Sequence, residues 1–184
     1  HLGAYLKRDW WQVWGTGDVQ LGEDIVGLDR SVLVHPLVWK ASGHADKFAD
    51  VIVECKKCNV RCRVDHLADG AEEHTEHVSV ETAMADAAKL GRKECPNCGA
   101  VGRFTEPMAF KLMFETKMGA NVDDTMTLFL RPETAQGIFA NFRNVLDSTR
   151  VKIPFGIAQI GKSFRNEVTT KAFIFRTREF EQAE

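Results

Sequence analysis

The sequence lacks the features that mark membrane and secreted proteins. No apolar run among its 184 residues approaches the roughly 18–20 residues that a membrane-spanning helix needs. The first segment, HLGAYLKRDWWQVW, has no signal-peptide pattern, and the chain does not begin with methionine. We therefore expect a cytoplasmic protein with no membrane partner, and we interpret the chain as a piece cut at both ends from a longer one.

The chain also lacks internal repeats, low-complexity tracts and any large excess of charge. The formal net charge is −2. This excludes the class of proteins that bind nucleic acid through an overall basic charge. The charges are nevertheless uneven. Residues 65–86 hold seven acids and no lysine or arginine, which is typical of a solvated face. Residues 150–178 hold seven lysines or arginines and one acid, interleaved with phenylalanine, which favours an anionic ligand.

Hydrophobic periodicity predicts an α+β fold, an antiparallel β-sheet with flanking helices. A helix is expected over residues 1–14, ending at Gly15–Gly17, and Pro36 should close a strand over 31–35. After a strand at 125–130, a helix should begin with Pro132 in its first turn. We expect its apolar face to pack on the core: Ala135, Ile138, Phe139, Phe142, Val145 and Leu146. Two strands should follow, over 152–167 and 173–184, joined by a loop at 168–172.

The cysteines form two C-x-x-C pairs, Cys55 with Cys58 and Cys95 with Cys98. Each pair matches a turn whose two thiolates reach one metal, so four sulfurs complete a tetrahedral structural zinc site. The 36 residues between the pairs exceed the usual gap of about 15–20, so part of the segment must loop out. Disulfides and unpaired buried cysteines are the alternatives, and a reducing cytosol disfavours disulfides.

The remaining cysteine, Cys62, is predicted to be a small core residue, and His74 and His77 are predicted to be surface residues. We divide the chain into a helix and strand region at 1–54, a zinc-ribbon-like insert at 55–100, and an antiparallel sheet at 101–184. One alternative for the whole chain is a stand-alone zinc-ribbon binding module, which would explain the cysteines but no other part of the sequence.

The end of the chain, SFRNEVTTKAFIFRTREFEQAE, resembles a hairpin in which arginines share a face with an aromatic ring. Residues two apart in a strand lie on one face: Ile174, Arg176, Arg178, Phe180, Gln182 and Glu184. Arginine binds phosphate oxygens in a bidentate manner, and a phenylalanine ring can stack on a base. The pattern therefore suits a nucleoside triphosphate site without a glycine-rich loop. A solvated strand with cross-strand arginine–glutamate pairs explains it equally well.

Longer blocks resemble a known family. FRNE followed after eight residues by RTREF is similar to motif 2 of class II aminoacyl-tRNA synthetases. FLRPETAQGIFANFRNV, IPFGIAQIGKSFRNE and FIFRTREFEQ resemble homodimeric glycyl-tRNA synthetases, and VGLDRSVLVHPLVWKASGH resembles their motif 1 region. RCRVDHL is similar to another segment of that family. The resemblance covers nearly the whole chain outside the acidic block.

The resemblance implies that ATP activates glycine and that the glycyl group then passes to tRNA(Gly). Arg165 matches the catalytic arginine that holds the α-phosphate, Glu167 the acid that reads the adenine amino group, and Phe180 the ring that stacks on adenine. Arg176 matches an arginine near the outer phosphates, and Mg²⁺ is expected with ATP. The expected ATP-binding set is Arg165, Asn166, Glu167, Phe175, Arg176, Thr177, Arg178, Glu179 and Phe180. The expected glycine-binding set is Arg63, Glu133, Phe180, Glu181, Gln182 and Glu184.

Two of these residues have simpler alternatives, since Glu133 suits a helix start and Arg63 a surface ion pair. The chain departs from the family at QAE, where QME is usual, and at Cys62. It also ends before motif 3, so we expect the 184 residues alone to be weakly active or inactive. Motif 1 implies a homodimer. The alternative is a non-catalytic synthetase-like accessory protein or nucleic-acid-binding protein.

Overall fold

The computed structural model describes residues 2–20, 22, 24–68, 84–85, 87–120, 126–170, 173 and 175–184. Its helices are α1 (Leu2–Trp14), α2 (Pro36–Ala41), α3 (His44–Lys47), α4 (Val64–Ala68) and α5 (Ala135–Thr149). Its strands are β1 (Ile25–Gly27), β2 (Leu33–Val34), β3 (Ala49–Glu54), β4 (Arg61–Arg63), β5 (Met108–Lys111), β6 (Glu115–Met118), β7 (Met126–Leu130), β8 (Gly156–Ala158), β9 (Ile160–Phe164) and β10 (Glu179–Ala183). This confirms a mixed fold of helices and antiparallel sheets.

The chain forms two compact units. The first unit comprises His1–Val38, Glu115–Phe164 and Glu179–Glu184, and the second comprises Trp39–Phe114 and Arg165–Arg178. The predicted three-part division stays a prediction. His74, His77 and most of the acidic block lie outside the described residues. In the part that the structure describes, no helix is long and apolar enough to cross a membrane.

The first unit contains an antiparallel sheet of order β2-β7-β6, the antiparallel β9–β10 hairpin and a parallel β1–β8 pair. Buried Arg131 links its parts, because Nε donates to the Lys162 carbonyl at 2.7 Å and Nη1 to the Arg30 carbonyl at 2.8 Å. Burial lowers the pKa of this guanidinium. Gly161 makes room for it, since a Cβ there would lie 2.1 Å from Nη2 of Arg131.

The second unit is built on an antiparallel sheet of order β4-β3-β5. The central strand β3 alternates toward one core, and its residues Val51 and Val53 are buried there. The core also contains Cys55, Val64, Leu90, Cys95 and Phe104, with Cys62 packed against it. The prediction that Cys62 is a small core residue is confirmed in part, since it packs against the core but is only partly buried. Ala87–Arg92 form a 3-10 helix.

The N-terminal α-helix is confirmed and ends at Trp14 as predicted, but the residues after it remain helical. α1 ends at Trp14, and Gly15–Gln20 continue it as a π-helix instead of breaking it. A Cβ at Gly15 or Gly17 would meet no neighbouring atom, so packing does not require glycine at either position. None of the α1 residues is buried in the described chain, and Leu2, Leu6, Trp10 and Val13 are exposed. The strand predicted at 31–35 is the short β2, which ends before Pro36 as expected.

Helix α5 begins later than predicted. Thr134 is its N-cap, so Pro132 and Glu133 precede the helix and the first turn holds no acid. Its apolar face is also less buried than expected, because Val145 is buried whereas Phe139 and Phe142 are exposed. Phe142 stacks on the Phe155 ring with centroids 5.4 Å apart.

The predicted terminal hairpin is present with a longer connection. β9 pairs with β10 in antiparallel register, with Phe180 opposite Ser163. The second strand begins at Glu179, not at residue 173, so the loop predicted at 168–172 is too short. The residues before Glu179 bond to residues 165–167 instead. Arg176 and Arg178 donate from their side chains to Glu167, and the Arg165 amide donates to the Arg178 carbonyl.

Candidate functional site

We call residues 165–178, which connect β9 to β10, the hairpin tip. Inside the second unit the tip is anchored to the end of β5. The Asn166 amide donates to the Leu112 carbonyl at 2.7 Å, and Asn166 Nδ2 donates to the Lys111 carbonyl at 3.2 Å. The Arg165 amide donates to the Arg178 carbonyl at 3.0 Å. These bonds fix the backbone of the predicted catalytic arginine.

Glu167 organises the arginines of the hairpin tip. Nε of Arg176 donates to Oε2 of Glu167 at 2.9 Å. Arg178 donates to the Glu167 carbonyl from Nε and Nη2, at 3.2 and 3.1 Å. The structure thus joins the predicted base-reading acid to the predicted phosphate-binding arginine. An arginine has five N–H donors, and the bond to Glu167 uses one of those on Arg176.

Aromatic rings accompany these charges. The Arg165 guanidinium carbon lies 5.8 Å from the Phe48 ring centroid, within the range of a cation–π contact. Phe173 and Phe175 at the tip are largely exposed, at 95% and 78%. The tip therefore offers cations and accessible aromatic surface in one segment of the second unit.

Arg63 lies in a cluster of charges on β3 and β4. It donates to both carboxylate oxygens of Asp65, from Nε at 3.1 Å and Nη2 at 2.6 Å, and its Nη1 lies 3.4 Å from Oδ2 of Asp50. Burial by itself would lower the pKa of Arg63, but the two carboxylates outweigh this effect and raise the pKa. Its expected contact with substrate stays a prediction, while the ion-pair alternative has these specific partners.

Four cysteine sulfurs meet at one point of the second unit. The Sγ atoms of Cys55, Cys58, Cys95 and Cys98 all lie within 4.8 Å of one another. The Cys55–Cys98 and Cys58–Cys95 separations are both 3.7 Å. A metal held tetrahedrally by Zn–S bonds of about 2.3 Å would require sulfurs about 3.8 Å apart. The set therefore fits a metal ion.

The two cysteine turns have the same backbone. The amide of the first cysteine in each turn donates to the carbonyl five residues later: Cys55 to Val60 and Cys95 to Ala100, both at 2.9 Å. Each turn also returns a bond to that cysteine's carbonyl, from Asn59 at 2.8 Å and Gly99 at 2.9 Å. Both returning residues have positive φ, 57° and 67°, which asparagine and glycine tolerate.

The thiols of this cluster ionise unequally. Hydrogen bonds with the Asn97 side chain and the Val60 backbone lower the pKa of Cys58 to about 6. The Ala100 backbone lowers that of Cys98, but burial and the other thiols outweigh it and raise the pKa to about 12. Because metals bind thiolates, a metal would displace protons here, and its affinity would rise with pH.

The two faces of β10 have different partners in the first unit. Glu179 pairs with Lys162, and Glu181 pairs with Lys7 of α1. Gln182 faces the other way, where its Oε1 accepts from Ser163 Oγ at 3.3 Å. The predicted site residues on this strand are thus divided between the faces.

Two carboxylates of the first unit are held by neutral donors. Thr134 Oγ1 donates a hydrogen bond to Oε2 of Glu184. Gln136 Nε2 donates to Oε1 of Glu133 at 3.0 Å. Sequence reasoning selected both acids but missed Thr134 and Gln136, although both residues lie in the RPETAQ block.

Comparison with known proteins shows which class of protein the chain resembles. No family model matches the chain. The chain is, however, similar along its whole length to curated tRNA ligases. A glycine--tRNA ligase of Thermobifida fusca is 52% identical over 183 residues, which are 100% of this chain and 38% of that protein.

Further relatives bear the same name. The glycine--tRNA ligase of Streptomyces coelicolor is 51% identical over 100% of this chain and 37% of its own length. That of Borrelia hermsii is 49% identical over 100% of this chain and 36% of its own length. The chain is thus a homologue of glycine--tRNA ligases and spans a little more than a third of their length. The expected resemblance is confirmed.

Proposed function

We propose that the chain is a segment of an enzyme that activates glycine with ATP and transfers the glycyl group to tRNA(Gly). The observation that carries this proposal is the identity of about half of all residues with glycine--tRNA ligases along the full chain. Since the chain spans a little more than a third of their length, we assign the complete reaction to the full-length protein.

The hairpin tip is proposed to bind ATP. The glycine carboxylate attacks the α-phosphorus and pyrophosphate leaves, so the protein must orient the reactants and neutralise charge. Arg165 is assigned to the α-phosphate and Arg176 to the outer phosphates, with Mg²⁺ accompanying ATP. Glu167 is assigned to the adenine amino group, and the resemblance assigns Phe180, which lies outside the tip on β10, to stacking on the base. The bonds that fix Arg165 and Glu167 support these roles, because positioned groups lose little entropy on binding.

The first unit is proposed to bind the glycine ammonium group through Glu133 and Glu184. Glycine has no side chain and its carboxylate reacts with ATP, so its ammonium group is the charged group left for acidic residues to hold. Both carboxylates accept hydrogen bonds from uncharged partners, Gln136 and Thr134. The Thr134 hydroxyl is uncharged and leaves the negative charge of Glu184 available for a cation, which supports the proposal.

The four-cysteine cluster is proposed to hold structural zinc. Cys55, Cys58, Cys95 and Cys98 would supply four thiolates, and a four-thiolate zinc ion leaves no position open for a reacting group. When bound, the ion would contribute folding energy and no chemistry. The sulfur separations of 3.7 Å support this choice of metal.

The remaining features of the proposal follow from the resemblance. We infer a class II synthetase catalytic-domain architecture, a homodimer formed through the motif 1 region, and a cytoplasmic location. The antiparallel sheets and the β9–β10 hairpin support the architecture. The exposed apolar side chains of α1 support a partner at that helix.

ATP–pyrophosphate exchange by the full-length protein tests the activity. We expect exchange that depends on glycine and falls at least about a hundredfold with alanine, because an added methyl group must fit a pocket shaped for hydrogen. Equal exchange with both amino acids would contradict glycine activation. Binding of tRNA without any exchange would instead favour the accessory-protein alternative.

A further inference from the structure

Thr134 has an unusual hydrogen-bonding assignment in the first unit. It occupies the N-cap of α5, where a threonine hydroxyl usually accepts from a helix amide. Its side chain makes no such cap bond and donates to Oε2 of Glu184 instead. The residue is completely buried, at 0% exposure. The helix therefore forgoes a cap at this position, and the hydroxyl is used to hold a carboxylate.

Thr134 is itself fixed in place by the terminal hairpin. Its amide donates to Gln182 Oε1 at 3.3 Å. The same oxygen accepts from Oγ of the fully buried Ser163, also at 3.3 Å. A satisfied buried network of this kind restricts the rotamers of its members. The backbone of Thr134 is thus held in place from both β9 and β10.

Glu184 is fixed at its backbone as well. Its amide donates to the Gln159 carbonyl at 2.9 Å, and the Gln159 amide donates to the Glu184 carbonyl at 2.8 Å. The residue nevertheless remains exposed. A side chain held at both ends and open to solvent is suited to bind a ligand without paying for its own ordering.

The group that donates to Glu184 is a hydroxyl, which carries no charge. An ionised carboxylate offers about four lone-pair positions, and one hydroxyl uses one of them. An arginine or lysine in the place of Thr134 would neutralise the acid. Threonine orients Glu184 and leaves its charge for an ammonium group.

We propose that Thr134 is a positioning residue that orients the Glu184 carboxylate for the ammonium group of glycine. This inference rests on the proposed function and adds to it a residue that touches neither glycine nor ATP. Thr134 acts through Glu184, so its loss should weaken glycine binding without affecting ATP binding.

The test is a set of three variants in the full-length protein, measured by glycine-dependent ATP–pyrophosphate exchange. Thr134→Val keeps the side-chain volume and removes the donor. We expect the KM for glycine to rise about tenfold or more, as for a lost hydrogen bond to a charged group, with the KM for ATP unchanged. Thr134→Ser keeps the hydroxyl and should restore the KM for glycine to within about threefold of the wild type.

Thr149→Val is the matched control, because the Thr149 hydroxyl bonds a carbonyl of its own helix at 2.7 Å, far along α5. It should leave both KM values unchanged. A general structural defect in Thr134→Val would raise both KM values or reduce kcat and Tm alone, and that result would overturn the inference. So would equal KM values for valine and threonine at 134. A wild-type protein without glycine-dependent exchange would overturn the proposed function and this inference together.

Discussion

Two sets of acidic side chains, one in each unit, are held in different ways. In the first unit, Glu133 and Glu184 accept hydrogen bonds from an amide and a hydroxyl. In the second unit, Asp50 and Asp65 share Arg63, and Glu167 accepts from Arg176. A neutral donor orients a carboxylate without cancelling its charge. A guanidinium orients the carboxylate and also neutralises its charge.

This difference distinguishes acids that are available to bind a ligand from acids that stabilise the fold. Asp50 and Asp65 are nearly buried, with side-chain exposures of 5% and 8%, so their charges need a permanent partner. Glu184 is exposed and its partner is uncharged, so it can accept a cation. Glu167 is intermediate, because its partner Arg176 is itself proposed to bind ATP.

Removal of the metal should produce the largest effect and should act on the second unit. Cys95→Ser is expected to abolish bound zinc and to unfold the core around Val53 and Phe104, because the metal's binding energy is folding energy. Elemental analysis should find one zinc per wild-type chain, and hydrogen exchange should locate the unfolding. Cys62→Ser, which leaves the four sulfurs intact, is the control. Metal-free protein with wild-type Tm would contradict the assignment.

Removal of Arg63 should be next in size. Arg63→Met removes the guanidinium that two buried carboxylates share and is expected to lower the free energy of unfolding by about 3–5 kcal/mol. Arg61→Met is the matched control on the same strand, since its pair with Glu54 is exposed and should contribute at most about 1 kcal/mol. Urea unfolding measures both. Equal losses would show that burial of the Arg63 cluster has no special importance.

Neutralising Glu184 should affect substrate binding rather than stability. Glu184→Gln keeps an oxygen for the Thr134 hydroxyl but removes the charge, so the KM for glycine should rise about 10- to 100-fold, as for a charged hydrogen bond. The free energy of unfolding should change little because the residue is exposed. Exchange assays and urea unfolding of the full-length protein check both expectations.

The control for Glu184→Gln is Asp147→Asn, a surface acid of the same unit that pairs with Arg143 at 3.2 Å. It should change neither KM nor stability appreciably. A wild-type KM for glycine in Glu184→Gln would remove the distinction between the two classes of acid.

Local patterns predicted part of this arrangement. The cysteine pairs were predictable because each turn is complete within six residues, and its positive-φ position holds asparagine or glycine. The hairpin was predictable because alternation and pairing are local as well. The long connection of the hairpin was not, since it depends on Arg178 bonding to Glu167.

Distant partners explain what sequence reasoning missed. Thr134 and Glu184 lie 50 residues apart, and no local pattern indicates that a helix cap will donate to a strand terminus. Asp50 and Arg63 likewise meet only because β3 pairs with β4. The exposed face of α1 had a core-like spacing, and the sequence alone did not distinguish a core from an uncovered face.

The smallest expected effect is a pH dependence of the Arg63 cluster. Burial raises the pKa of Asp65, but bonds and charge from Arg63 outweigh it, together with the His66 amide, and hold the pKa below its ordinary value of 3.8. A carboxyl with a depressed folded-state pKa stabilises the fold above its unfolded pKa and loses that contribution as pH falls through the folded value. The stability difference between wild type and Asp65→Asn should therefore shrink as pH falls below 3.8. Urea unfolding at pH values on both sides measures this, and a constant difference would mean that Asp65 gains no charge stabilisation from Arg63.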